Sequence, residues 1–254
     1  MPDSAPPPKS LVRGYTIAAG NFFFRVRNGL FPSLFLLGAL IVRPHVILNN
    51  PALDRLLIAC GAAVALAGQA VRLSTIGFEY IERGGKEGKV YASRLVQGGV
   101  YGISRNPMYV GNALIAVGVS MTLGAPAAYV VVIPFFLWVY HAIVAAEEAY
   151  LRGRFGAEYN DYCARVPRFL PALGNAPRAF AGMRYNWKVS VRKELSTITG
   201  LLCGLTALPL WRTFWLSGVE AAKAAAPRTA ALLAAILALY ALFASLKKRR
   251  LLFY

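Results

Sequence analysis

Two neighbouring carboxylates and one proline-started helix are the parts of this chain best suited to chemistry. Glu147 and Glu148 follow directly on the apolar run 126–146. Acids at a helix C-terminus oppose the macrodipole, and acids at a membrane edge usually contact a partner. A cationic or hydroxyl-rich ligand is one such partner. For Glu148, Arg152 or Arg154 at helical spacing is another. Tyr140, Ile143 and Glu147 share a helix face, so together they can line a pocket. Earlier in the chain, Ser104-Arg105-Asn106-Pro107-Met108-Tyr109-Val110-Gly111 opens another apolar run, with Asn106 near its N-cap. Proline in a first helical turn leaves neighbouring N–H groups free to bind an anion or an acceptor atom. The same residues also make an ordinary helix start. The loop before them, 74–105, holds Gly84, Gly85, Gly88, Gly98, Gly99 and Gly102, and glycine lets backbone approach a ligand closely.

Other reactive side chains are sparse. His45 and His141 stand alone, and no Cys/His cluster has the spacing of a metal site, so no metal is expected. Three cysteines, Cys60, Cys163 and Cys203, are too few and too odd in number for a disulfide framework.

The elements that must position these residues are apolar helices. The chain has 254 residues, 57% hydrophobic and 15% charged, with a net charge of +17 and a mean hydropathy of +0.49. Disordered chains lack that apolar content. A soluble nucleic-acid binder of this basicity would not combine it with long uncharged runs, so no nucleic-acid partner is expected. An integral membrane protein satisfies both facts. Runs of about 20 apolar residues suffice to span a bilayer, and six are expected: 29–48, 53–71, 109–123, 126–146, 197–216 and 229–246. Only Gly124 and Ala125 separate the third and fourth, which predicts a tight hairpin. Pro209 and Arg212 interrupt the lower half of the fifth. Met1 to Pro8 reads as a flexible polar tail rather than a targeting signal, and the stretch 21–27, with Phe22, Phe23 and Phe24 between cations, as an interfacial segment.

Six spans put both termini on one side. Of the 28 Lys and Arg, 23 fall on that side: the N-terminal arm, the loop 72–105, the stretch 152–193 and the tail 247–250. Enrichment of cytoplasmic segments in Lys and Arg makes it the cytoplasmic side.

The ordered pieces Gly-Val-Tyr, Arg-Asn-Pro-x-Tyr-x-Gly entering a hairpin, Glu-Glu-x-x-Leu, Phe-Gly-x-x-Tyr-x-x-Tyr and Val-Pro-Arg-Phe-x-Pro resemble the isoprenylcysteine carboxyl methyltransferase and phospholipid methyltransferase superfamily. The likeness covers roughly residues 53–171. It implies an all-α, polytopic membrane methyltransferase with a cofactor pocket on the cytoplasmic side. S-adenosylmethionine would bind there, and a lipid or lipidated acceptor would arrive from the bilayer. Carried over by position, it implies that Ser93, Arg94, Leu95 and Val96 form a strand-like stretch beside the cofactor. Tyr101, Asn106, Pro107, Met108 and Tyr109 would join them, with Glu147 as the cofactor-binding acid. Two positions depart from the pattern. Asn106 stands where eukaryotic prenylcysteine enzymes have His, and Ile143 stands where they have an Arg implicated in holding the substrate carboxylate.

Methyl transfer from a sulfonium is an in-line displacement that chiefly requires positioning and exclusion of water. An amine acceptor would need a base, for which Tyr109, Glu148 and His141 are the candidates; a carboxylate acceptor would not. The rival readings are a sterol-type NADPH reductase, which shares a related hairpin, and a non-catalytic lipid-binding protein. The organisation expected is a tail and interfacial segment at 1–28, a methyltransferase core at 29–173, and a basic amphipathic segment with two further spans at 174–254. Oligomeric state is not readable from the sequence.

Overall fold

The computed structural model describes residues 8–79 and 90–249. The tail 1–7, the loop glycines Gly84, Gly85 and Gly88, and Arg250 lie outside the described residues. The all-α expectation is met: the elements are α1 (Pro8–Ile41), α2 (Pro51–Phe78), α3 (Pro107–Leu123), α4 (Ile133–Arg165, entered through a π-helical turn Ala128–Val132), the short α5 (Ala176–Ala179) and α6 (Trp187–Lys248). Among the described residues, three helices are long and apolar enough to cross a membrane, namely Pro51–Phe78, Ala128–Arg165 and Trp187–Lys248, and α3 is a shorter apolar helix.

Several boundaries differ from those expected. The interfacial segment and the first apolar run belong to one helix, α1, so the expected division at residue 28 falls inside it. That helix stops at Ile41 rather than reaching residue 48. The chain then passes through Pro44 and a 3-10 turn at Ile47–Asn49, until Asn50 caps α2 by accepting from the amides of Ala52 and Leu53 at 3.0 and 3.2 Å. The runs 197–216 and 229–246 are the two arms of α6, which break at Gly218 (φ 85°, ψ −179°). Lys247 Nζ lies 3.5 Å from the Arg192 carbonyl, so the arms double back on each other.

α2 and α3 form the tightest helix pair, because glycines face each other along the crossing. A Cβ on Gly61 would lie 2.7 Å from the Gly118 carbonyl, and one on Gly68 would lie 2.6 Å from that of Gly111. The seven-residue spacing on each helix keeps these contacts on one face, and small residues let backbones approach where lipid offers no hydrophobic drive. Gly20 plays the same part between α1 and α4, where a Cβ would run into the Ala142 carbonyl.

α6 is tied to α2 by two buried ion pairs. Arg72 holds Glu194 with Nε at 2.7 Å and Nη2 at 2.9 Å, Gln69 Nε2 adds a bond at 3.0 Å, and Arg72 Nη1 reaches Asn112 on α3. Arg212 Nη2 bonds Asp54 at 2.6 Å, while its Nη1 donates to the Leu123 carbonyl at 2.7 Å. The pairs are eighteen residues apart on both helices, about 27 Å, close to the hydrocarbon thickness of a bilayer. Arg212 therefore does not spoil its helix: Asp54 neutralises it and it satisfies the C-terminal end of α3. Gly124, at φ 62°, is required beside it, because any Cβ there would meet the guanidinium.

The basic segment ahead of α6 is docked on protein. Phe180 and Tyr185 stack on Phe78 with centroids 4.7 and 5.3 Å away, the Asn186 amide donates to the Gly77 carbonyl at 2.7 Å, and Ser190 Oγ donates to Leu73 O at 2.7 Å.

Leaving one member of a buried pair unpaired is costly. Asp54→Ala or Glu194→Ala is therefore expected to lower stability by about 3–5 kcal/mol in reversible unfolding of the detergent-solubilised protein. Arg72→Met combined with Glu194→Leu should cost clearly less than Glu194→Ala alone.

Candidate functional site

Successive residues of a helix point about 100° apart, so Glu147 and Glu148 face different neighbours. Glu147 turns to α3 and α1. Its Oε1 accepts from the Tyr109 hydroxyl at 2.5 Å, Arg27 Nη1 donates to that same hydroxyl at 3.0 Å, and Arg27 lies 3.7 Å from the carboxylate. Glu148 turns to the start of α3. It pairs with Arg105 at 3.4 Å and Arg168 at 3.2 Å, and it accepts from Asn106 Nδ2 at 3.4 Å. These are not the helical-spacing partners expected: Arg152 Nε bonds Asn160 Oδ1 at 3.2 Å, and Arg154 lies over the Phe155 ring. Glu148 is saturated by cations, whereas the Glu147 side chain, 23% exposed, keeps an accessible edge.

The approach to α3 is held by the chain that follows α4. Gly156, at φ 52°, breaks α4 in a conformation that favours glycine, and the turn beyond it packs Tyr159, Tyr162 and Val166 with Leu95, Leu151 and Phe155. The Tyr162 hydroxyl donates to Tyr101 O at 2.7 Å. Beyond it, the Arg105 amide donates to Pro167 O and the Ala172 amide to Ile103 O, both at 2.9 Å, and Ser104 Oγ donates to Phe169 O at 2.9 Å. The Phe-Gly-x-x-Tyr-x-x-Tyr and Val-Pro-Arg-Phe segments thus clamp the residues that lead into Asn106 and Pro107. Asn106 stands at the N-cap position, yet its side chain spans the clamp instead of capping, bonding Glu148 and the Arg168 carbonyl.

Tyr109, Glu147, Asn106 and Glu148 are thus brought together, with buried Pro107, Met108 and Tyr101 beside them. Ser93 and Arg94 are exposed, and Arg94 pairs with Glu79 at 2.9 Å. The stretch 93–96 is irregular rather than strand-like: among the described residues no strand lies alongside to receive its hydrogen bonds, and Leu95 is held by side-chain packing. Gly98 and Gly102, ahead of α3, make room for protein. A Cβ on Gly98 would lie 2.6 Å from Glu79 Oε2, and one on Gly102 the same distance from Ala179 Cβ. Tyr140 and Ile143 are buried in a cluster with Phe24, Ala116 and Phe136, and the Tyr109 and Tyr140 rings sit 5.9 Å apart. His141 is exposed, about two turns before Glu148 on the same face of α4.

Sequence reasoning does not single out Arg27, Arg105 or Arg168 as site residues. The last two lie inside the motif strings, where their charge was the available signal. Arg27 lies far outside them, marked only as a cation after three phenylalanines.

Residues 56–158 match the family model described as phospholipid methyltransferase. Comparison with curated proteins and with solved structures finds no match.

Because Glu148 bridges α4 to both sides of the clamp, Glu148→Ala is expected to loosen the clamp and leave Tyr109 on Glu147. In hydrogen-exchange mass spectrometry, the peptides carrying the Arg105 and Ala172 amides should exchange about tenfold faster or more, and the peptide spanning 112–120 should not change.

Proposed function

Taking as premise that residues 56–158 form a phospholipid methyltransferase domain of the isoprenylcysteine and phospholipid methyltransferase superfamily, we propose that the protein transfers a methyl group from S-adenosylmethionine to a lipid or lipidated acceptor in the membrane. The observation that carries this reading is a partly exposed carboxylate, Glu147, held by a phenol beside a buried helix start.

The residues present fit such a cofactor. Glu147 is the one acid of the pair with an edge left for an ammonium group, Tyr109 holds that edge in place, and Asn106 fixes the helix start beside it. When bound, S-adenosylmethionine supplies a methyl group activated by its sulfonium charge. The protein's work is then alignment and exclusion of water. Tyr159, Tyr162 and Val166 hold the approach to α3 through Leu95 and the Tyr101 carbonyl, and the α2–α3 glycine contact holds the helix that carries Tyr109. For an amine acceptor, the Tyr109 hydroxyl, already donating to Glu147, offers the proton a route. Glu148 is committed to two arginines, and His141 lies on the Glu148 face of α4, about two turns before it.

The reading places this end of the bundle, and both termini, on the cytoplasmic side, in keeping with the distribution of Lys and Arg. With Ile143 buried among apolar side chains, the α4 position that carries Arg in the prenylcysteine enzymes holds no cation for an acceptor carboxylate. This favours a phospholipid head group over an isoprenylcysteine carboxylate.

Calorimetric titration of the purified protein with S-adenosylmethionine should show binding that S-adenosylhomocysteine displaces and NADPH does not. Glu147→Ala and Tyr109→Phe should each weaken it about tenfold or more, the scale of one charge-assisted hydrogen bond. A silent titration of folded wild-type protein rejects the proposal. Expression with methyl-labelled methionine, followed by lipid analysis, should reveal the acceptor as a labelled membrane lipid absent from the Glu147→Ala strain.

A further inference from the structure

α1 lies outside the residues that match the methyltransferase family, which begin at residue 56, yet it reaches the centre of the site. Gly20 sits against the backbone of α4, and Phe24 is 5% exposed. Phe23 stacks edge-on against Phe135 and Trp138 at 6.3 and 5.4 Å. One turn on, the Arg27 guanidinium lies 3.9 Å over the Phe24 ring, bonds the Tyr109 hydroxyl and faces Glu147 at 3.7 Å.

The quality of that last contact decides what it can do. At 3.7 Å Arg27 is beyond hydrogen-bond distance of the carboxylate, and its side chain is 19% exposed. The Arg72–Glu194 pair, by contrast, closes to 2.7 Å around a carboxylate with no exposure. The latter is a permanent joint. The former is a loose pair at the water-reachable edge of the site, where one cation can replace another.

We propose that Arg27 is a built-in competitor for Glu147. It neutralises the carboxylate through α1 and yields that place to the cationic group of the methyl donor, so that α1 is a displaceable cover whose docking regulates access. The inference rests on the proposed use of Glu147 for S-adenosylmethionine. Two cations cannot share one carboxylate edge without repulsion, and the coupling is reciprocal: a bound donor must loosen α1 as much as a docked α1 weakens the donor.

Two measurements test it, both with the full chain in detergent or nanodiscs and S-adenosylmethionine as the probe. Arg27→Gln should bind the probe about fivefold more tightly or better, while Arg27→Lys, which keeps the charge, should stay within about twofold of wild type. In the wild type, saturating probe should speed hydrogen exchange in the peptide spanning 17–27, a readout that needs no variant to fold. Weaker binding by Arg27→Gln, or slower exchange of that peptide with probe, overturns the proposal and makes Arg27 part of the cofactor's own binding set. If neither wild type nor Arg27→Gln binds the probe, the methyltransferase reading fails and this inference falls with it. Binding that is lost in Glu147→Ala but unaltered in Arg27→Gln overturns the competition alone.

Discussion

In a chain with 28 basic and 11 acidic residues, a carboxylate is the scarce partner, and five of the described acids stand where elements meet. Asp54 and Glu194 join α2 to the first arm of α6, Glu147 joins α4 to α3 and α1, Glu148 joins α4 to the clamp ahead of α3, and Glu79 joins the end of α2 to Arg94. A buried charge is tolerable only with a counter-charge and further hydrogen bonds, and apolar surroundings sharpen that demand. The two buried pairs, Arg72–Glu194 and Arg212–Asp54, therefore specify how α2 and α6 lie side by side and in what register, a task that non-directional apolar contact performs poorly.

The same constraint divides the labour of the two adjacent acids. Glu148 is surrounded by Arg105, Arg168 and Asn106 and serves as the rivet of the clamp. Because the clamp fixes the residues just ahead of Pro107, and the Gly68–Gly111 contact fixes α3 a turn later, Tyr109 arrives at Glu147 with little freedom. Such a supported pair is what a positioned site requires. Arg72 extends the chain of supports from the other side, since it links Glu194 on α6 to Asn112, less than a turn from Tyr109 on the same face of α3.

Much of this was legible in the sequence, and the parts that were not share a cause. The apolar runs, the hairpin between α3 and α4, and the adjacency of Asn106, Tyr109, Glu147 and Glu148 follow from hydropathy and from ordered motifs. Partner identity did not follow, because Glu148 finds Arg105 across the α3–α4 hairpin and Arg168 beyond the break at Gly156, neither of which helical spacing can express. Arg212 looked like a flaw in its run until Asp54, 158 residues away in the chain, supplied the counter-charge. Among the described glycines ahead of α3, Gly98 lies against Glu79 and Gly102 against Ala179, so at those two positions the small residue admits protein, a partner that composition cannot name.

The region after residue 173 can be weighed by the same logic. No family motif reaches it, and its second arm exposes Leu232, Leu237, Leu239 and Leu242, as a helix facing lipid would. Its first arm differs. Glu194 is fully buried and Arg212 is 3% exposed, and both counter-charges, Arg72 and Asp54, lie on α2. Removing α6 would leave Arg72 and Asp54 buried and unpaired within the helix that packs on α3 and opens the matched region. A segment whose absence strands two charges inside its neighbour is part of that neighbour's fold, so the first arm of α6 belongs to the physical unit that holds Tyr109 in place, whatever the motifs alone mark as its end.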